Sequence, residues 1–252
     1  GRMASVESRD MYEEGLKIPI TKFYRKGVRD DTIVDFLRSN VRVPDKVIGD
    51  VNSQIAAINI VSMGVAKMIA DYGFTDLTAL AQRILSASEA SMRRQIAAIP
   101  DGVYRNRVEI PPIGRIKEPI VVNVAVEVKG DSIVIDYEGS SPELEAAINV
   151  TLPMTTSYST YPIKVAIDPS VPNNAGCLAP ITVLAPEGSA LNCRAPAPTW
   201  GRTILAHNLP ELIFGALAPA LPGRIIAACG STPLTAMYFN GVKPTGETFL
   251  AI

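Results

Sequence analysis

The sequence predicts an α+β fold: a helical hairpin lobe followed by a mixed lobe of β-hairpin and helices, the two forming part of a larger subunit. Three observations carry this. Two consecutive stretches early in the chain place apolar residues at helical spacing, residues 120–137 alternate as a β-hairpin does, and the remainder mixes short strand-like and helix-like runs. Residues 1–102 are therefore read as a mainly helical lobe and residues 103–252 as a mixed α/β lobe, or as two lobes of one continuous domain.

Taken in order, residues 1–30 are mixed, with turn signals at Gly15 and Pro19. Asp30-Asp31 then caps a short helix ending near Asn40, and Pro44 opens the next element. From Asp45 to Tyr72 the side chains of Val47, Val51, Ile55, Ile58, Val65 and Ile69 form one apolar stripe, and Gly73 stops the helix. A second helix from Asp76 to Ala98 carries Leu77, Leu80, Ala81, Ile84 and Leu85 and ends at Pro100-Asp101-Gly102. The pair reads as a helical hairpin. The run from Ile120 to Val128, the turn Lys129-Gly130-Asp131 and the run from Ser132 to Tyr137 make a β-hairpin. Downstream, Met154 to Ile167 is helical, Ile181 to Leu184 is a short strand, Thr203 to Leu217 is a helix despite Pro210, and Arg224 to Cys229 is a buried strand.

Composition excludes several functions. Lys plus Arg is 24 against 25 for Asp plus Glu, so no net field gathers nucleic acid or an anionic membrane surface. Apolar stretches are interrupted by Pro, Gly or charge before the ~20 residues of a membrane span, and no signal sequence opens the chain, so it is expected to be soluble. Cys177, Cys193 and Cys229 are odd in number and lack paired spacing, which fits a reducing cytoplasm better than a disulfide framework or a zinc site. The chain opens at Gly1-Arg2-Met3 and stops in the apolar run Phe249-Leu250-Ala251-Ile252, as expected of a piece of a longer chain whose other segments cover that edge.

Chemistry-bearing residues give little by themselves. The single histidine, His207, has no ligand or triad partner at a recognisable spacing and is read as a packed or solvated residue. No flanking group activates a cysteine, and neither a Rossmann glycine pattern nor a P-loop is present, so ATP is not expected to bind here. Asp136, Glu138 and Asp168 are possible acids or bases whose pairing depends on geometry. Residues 149–192 concentrate Asn149, Tyr158, Tyr161, Lys164, Asp168, Asn173 and Asn174 among Pro and Gly turns. Such a set suits a pocket for a small polar substrate, although Asx side chains also build turns.

Spaced runs along the chain resemble one known family. Met11 to Pro19, MYEEGLKIP, is similar to its Y-x-E-G-L-x-I-P run, and Gly49 to Asn59, GDVNSQIAAIN, to its G-D-x-x-A-Q-x-A-A-N helix, with Ser53 in place of Ala. Pro100 to Tyr104 and Asp136 to Ser141 resemble its P-D-G-x-Y and D-[FY]-x-G-[ST]-S signatures. Ile148-Asn149-Val150, Tyr158, Lys164, Asp168-Pro169, Pro172 to Gly176, Pro180-Ile181 and Ala185 to Ser189 follow in family order. The family is hydantoinase B/oxoprolinase, which includes N-methylhydantoinase B and subunits of acetone and acetophenone carboxylases.

The resemblance implies part of the B-type subunit of an ATP-dependent cyclic amide hydrolase, in an oligomer with a hydantoinase A-like ATPase subunit or domain. That partner would phosphorylate the substrate carbonyl and the B-type part would hydrolyse the activated species; carboxylation of a ketone and a non-catalytic assembly module are the alternatives. The family's divalent-metal cluster lies N-terminal to the Y-x-E-G-L run, so its ligands are expected outside this chain, which alone would be inactive. Lys164, Asp168 and Asp136 become candidate catalytic residues, Asn149, Tyr158, Asn173 and Asn174 candidate substrate ligands, and Glu14, with Asp136, candidate support for the missing metal ligands.

Overall fold

The computed structural model describes residues 5–225, 239–242, 245–246 and 248–251. A short helix α1 (Met11–Glu14) and a small hairpin, β1 (Tyr24–Arg25) with β2 (Val28–Arg29), precede helices α2 (Asp31–Asn40), α3 (Pro44–Tyr72) and α4 (Thr78–Ile96). Asp30 caps α2 by accepting the Thr32 N–H, and α3 starts on Pro44 and stops at Gly73, which takes the left-handed conformation at φ 67°. Then come β3 (Gly102–Ile110), β4 (Ile120–Lys129), β5 (Ser132–Asp136), α5 (Leu152–Ile167), α6 (Ala175–Leu178) and β6 (Ile181–Leu184). Helices α7 (Thr203–Ala206) and α8 (Asn208–Leu217) and the hairpin of β7 (Phe239–Val242) and β8 (Thr248–Ala251) complete the order.

The α+β class is as expected, and its centre is a four-stranded sheet in the order β3-β4-β5-β6. The first three strands form an antiparallel meander, while β6 runs parallel to β5 in the register Ile133↔Ile181. A parallel neighbour requires a crossover connection, and α5 lies on that connection. Alternation assigns one sheet face to the core: Val122, Val124, Val126, Ile133, Ile135 and Tyr137 are all buried. Helices α5 and α8 cover this face, and Met92 and Ile96 of α4 join the same apolar cluster.

The two long helices lie near their expected bounds, but their apolar stripes meet different neighbours. Helix α4 packs on α6 and α5, whereas α3 lies along α2 and buries only Ile48. By length and composition α3 is long and apolar enough to cross a membrane, which corrects the expectation that every apolar stretch is broken too soon. Its Gly49, Gly64 and polar residues interrupt the apolar run in sequence without interrupting the helix.

Thr203 to Leu217 is two helices, not one. The break falls at His207, and Pro210 sits in the first turn of α8, where a missing N–H costs no intrahelical bond. Strand β3 was not anticipated, because Arg105, Asn106, Arg107 and Glu109 mask its alternation. In the expected strand over 224–229, Arg224 and Ile225 form a turn and a bend, and Ile226 to Cys229 lie outside the described residues.

Candidate functional site

Helix α5 supplies most of the candidate site. Its inner face, including Thr155, Ser159 and Ile163, is buried against the core. Ser157, Thr160, Tyr161 and Lys164 follow at three- and four-residue steps along one side of the helix, Thr160 itself being buried with its hydroxyl bonded to the Thr156 and Ser157 carbonyls. These four side chains, with Asn173 and Leu178 from the segment around α6, line a hollow of about 290 Å³. Lys164 is half-buried there, and its ammonium donates to the Pro169 carbonyl at 3.2 Å. One of its three N–H groups is thereby used, leaving two that could donate to an anionic or carbonyl oxygen.

The loop carrying Asn173 is pinned to α4 by two other predicted residues. Asp168 is buried; it accepts from Ser91 Oγ at 3.0 Å and from Ser170 Oγ at 2.6 Å. The hydrogen bond from the Ser170 hydroxyl, helped by Ser91, holds its carboxyl below the usual range, against the opposing effect of burial. Asn174 accepts from the Cys177 N–H, so capping α6, and donates to Ser88 Oγ at 2.8 Å. Asp168 and Asn174 therefore face α4 and hold the loop, while Lys164 and Asn173 face the hollow. Ser157 and Thr160 escaped the sequence reading, although counting three, four and seven residues back from Lys164 finds them together with Tyr161.

The remaining predicted residues lie elsewhere. Asn149 is fully buried: its amide donates to the carbonyls of Leu144, Ala146 and Pro198 and its Oδ1 accepts from the Leu144 N–H. With these groups committed and no exposed surface, it cannot hold a substrate, which corrects that assignment. Tyr158 stacks on His207 with ring centroids 5.5 Å apart, and its hydroxyl lies 3.2 Å from His207 Nε2. Glu14 Oε1 accepts from the N–H groups of Thr199 and Trp200, tying α1 to the loop before α7. Asp136 lies on the sheet face opposite α5, because its neighbour Tyr137 points the other way and bonds Ser159 within α5.

The two described thiols, Cys177 and Cys193, are unsuited to nucleophilic work, and Cys229 lies outside the described residues. Burial first, then the negative charges of Glu143 and Glu14, pushes the Cys193 thiol up, while Cys177 Sγ is buried and donates to the Asn174 carbonyl. Among the described residues no three His, Cys, Asp or Glu side chains gather as a metal site would require. Glu14, named with Asp136 as support for such a site, has Oε1 engaged by the backbone N–H groups of Thr199 and Trp200. The described residues thus do not by themselves gather a ligand set for a divalent metal.

Among the described residues an α+β core has its sheet covered on one side by helices, with a hollow of mixed polar and apolar lining on α5, and comparison supplies the family. The Hydantoinase B/oxoprolinase family model matches residues 1–252, so the chain belongs to that family. The chain is 31% identical to the B component of a "Putative D-/L-hydantoinase" from Pseudomonas sp. (strain NS671), over 96% of this chain and 42% of that protein. It is similar to the crystal structure of ATP-dependent caprolactamase from Pseudomonas jessenii, with a TM-score of 0.80 and 25% identity over 86% of this chain and 38% of that one. The nucleotide-free acetone carboxylase structure matches at a TM-score of 0.75 and 15% identity, over 96% and 34% of the two chains, a likeness of fold alone. This chain thus spans well under half the length of these relatives.

Proposed function

We propose that the chain is part of the B-type subunit of an ATP-dependent cyclic amide hydrolase of the hydantoinase and 5-oxoprolinase type. In this reading it works in a cytoplasmic oligomer beside a hydantoinase A-like ATPase subunit or domain and the rest of its own chain. An unactivated amide is a poor electrophile because nitrogen donates into the carbonyl. Phosphorylation of the carbonyl oxygen by the partner, with loss of the N–H proton, gives an O-phosphoryl imidate whose C=N carbon no longer has amide resonance to protect it. Water then adds at carbon, the C–N bond breaks with nitrogen taking a proton, and a second water releases phosphate and leaves a carboxylate.

The observation that carries the reading is the hollow on α5, where Lys164 and Asn173 converge with Ser157, Thr160 and Tyr161. Lys164 suits a phosphate or carboxylate oxygen as a point charge, and Asn173 with the exposed Tyr161 hydroxyl suits an amide, while the Ser157 and Thr160 hydroxyls donate to carbonyls of their own helix. Asp168 and Asn174 act as positioning residues through the loop they fix. Ring opening is favoured over ketone carboxylation because the relatives at 31% and 25% identity bear the names of a hydantoinase and a caprolactamase, both enzymes of cyclic amides. Any metal ligands are assigned to segments outside this chain.

The test replaces Lys164 with Ala in the whole subunit assembled with its ATPase partner. We expect assembly to persist while kcat/KM for a cyclic amide falls by at least about ten-fold, the scale of one lost charge-assisted contact. Failure to assemble would favour the non-catalytic module instead, and incorporation of labelled bicarbonate into a ketone would favour the carboxylase.

A further inference from the structure

The sheet face turned away from α5 carries a second hollow, of about 610 Å³, lined by Arg105, Arg107, Asn123, Ala125, Asp136 and Glu138. Its shape follows from the register. Ala125 of β4 pairs with Arg105 of β3 on one side and with Asp136 of β5 on the other, so a methyl-sized floor separates two longer walls of opposite charge. Two strand spacings place the Arg105 and Asp136 backbones roughly 9.6 Å apart, with both side chains standing up from the same face.

The charges around this floor are not consumed by one another. Among the described residues Arg105 and the Glu138 carboxylate have no hydrogen-bond or ion-pair partner, and Asp136 uses only Oδ1, which accepts the Glu138 N–H. Arg107 is instead paired with Glu109 along its own strand. The Asn123 amide is fixed by donating to the Gly139 carbonyl at 2.6 Å, which holds that wall still. A cationic group on one wall and two carboxylates on the other, kept apart by a small floor, match a small molecule carrying both charges.

We propose that this hollow binds a short amino carboxylate zwitterion, its carboxylate on Arg105 and its ammonium between Asp136 and Glu138. With their backbones only two strand spacings apart, the two walls suit a molecule with a few methylenes between its own charges. The proposal is independent of the α5 hollow and uses none of its side chains.

Calorimetric titration of the whole subunit with 4-aminobutanoate tests it. The expected result is saturable binding that weakens at least about ten-fold in Arg105→Met and in Asp136→Asn, and equally when butanoate or butylamine replaces the zwitterion. Ala125→Leu keeps every charge but fills the floor, and should abolish binding. No saturable binding to the parent protein, or unchanged affinity in Ala125→Leu and Arg105→Met, would overturn the proposal.

Discussion

Burial divides the polar residues of the 149–192 stretch into two kinds. Asn149 and Asp168 lie within the fold and are fully engaged, whereas Lys164 and Asn173 border open space. Asn149→Ala should therefore cost about 2–3 kcal/mol in urea unfolding, since it strands buried backbone groups, while Lys164→Ala should stay within about 0.5 kcal/mol. Asp168 adds a pH signature. Its carboxyl is held below the ordinary range in the folded state, so the unfolded chain binds the proton more readily. Its contribution is complete above the ordinary carboxylate pKa of about 4 and is lost as pH falls through the lower folded value. Asp168→Asn should flatten the acid limb of the stability profile, and an unchanged limb would contradict the assignment. Sequence made these residues visible as a polar cluster but not their sorting, because turn-building and substrate-binding amides are the same residue types until burial separates them.

At the scale of elements, sequence was most legible where one periodicity dominated. The β4–β5 hairpin matches within a residue or so because alternation and the Gly130-Asp131 turn, with Gly130 at φ 60°, specify the same register. Strand β3 was hidden because its outward positions carry two arginines and a glutamate, and Asn106 faces inward to donate to the Leu212 carbonyl. The packing of α4 rests on another feature no pattern reveals. Gly176 of α6 lies so close to the Leu85 backbone that an added Cβ would overlap it. Gly176→Ala should push α6 from α4 and cost about 1–3 kcal/mol, as overpacking does, and a neutral result in thermal unfolding would contradict the contact. Hydrogen exchange should likewise separate the elements: β4 amides, inside the core sheet, should be far better protected than those of α3, which buries only Ile48.

At the scale of the described chain, the layers set two hollows on opposite sides of one core: the α5 hollow outside the helices, and the Arg105 and Asp136 hollow on the sheet face turned away from them. The spaced family runs made membership legible from sequence, and the match over residues 1–252 agrees. Site geometry was not legible, since register and layer order decide which of Lys164, Asp168 and Asp136 share a space. The central claim is that the assembled enzyme opens a cyclic amide through a phosphorylated carbonyl, and it is tested most directly by the ratio of ADP formed to ring-opened product. The account predicts one ADP per ring opened when the whole B-type chain, its partner, metal and substrate are combined. Ring opening at full rate without ATP, or ATP hydrolysis that no cyclic amide stimulates, would contradict it.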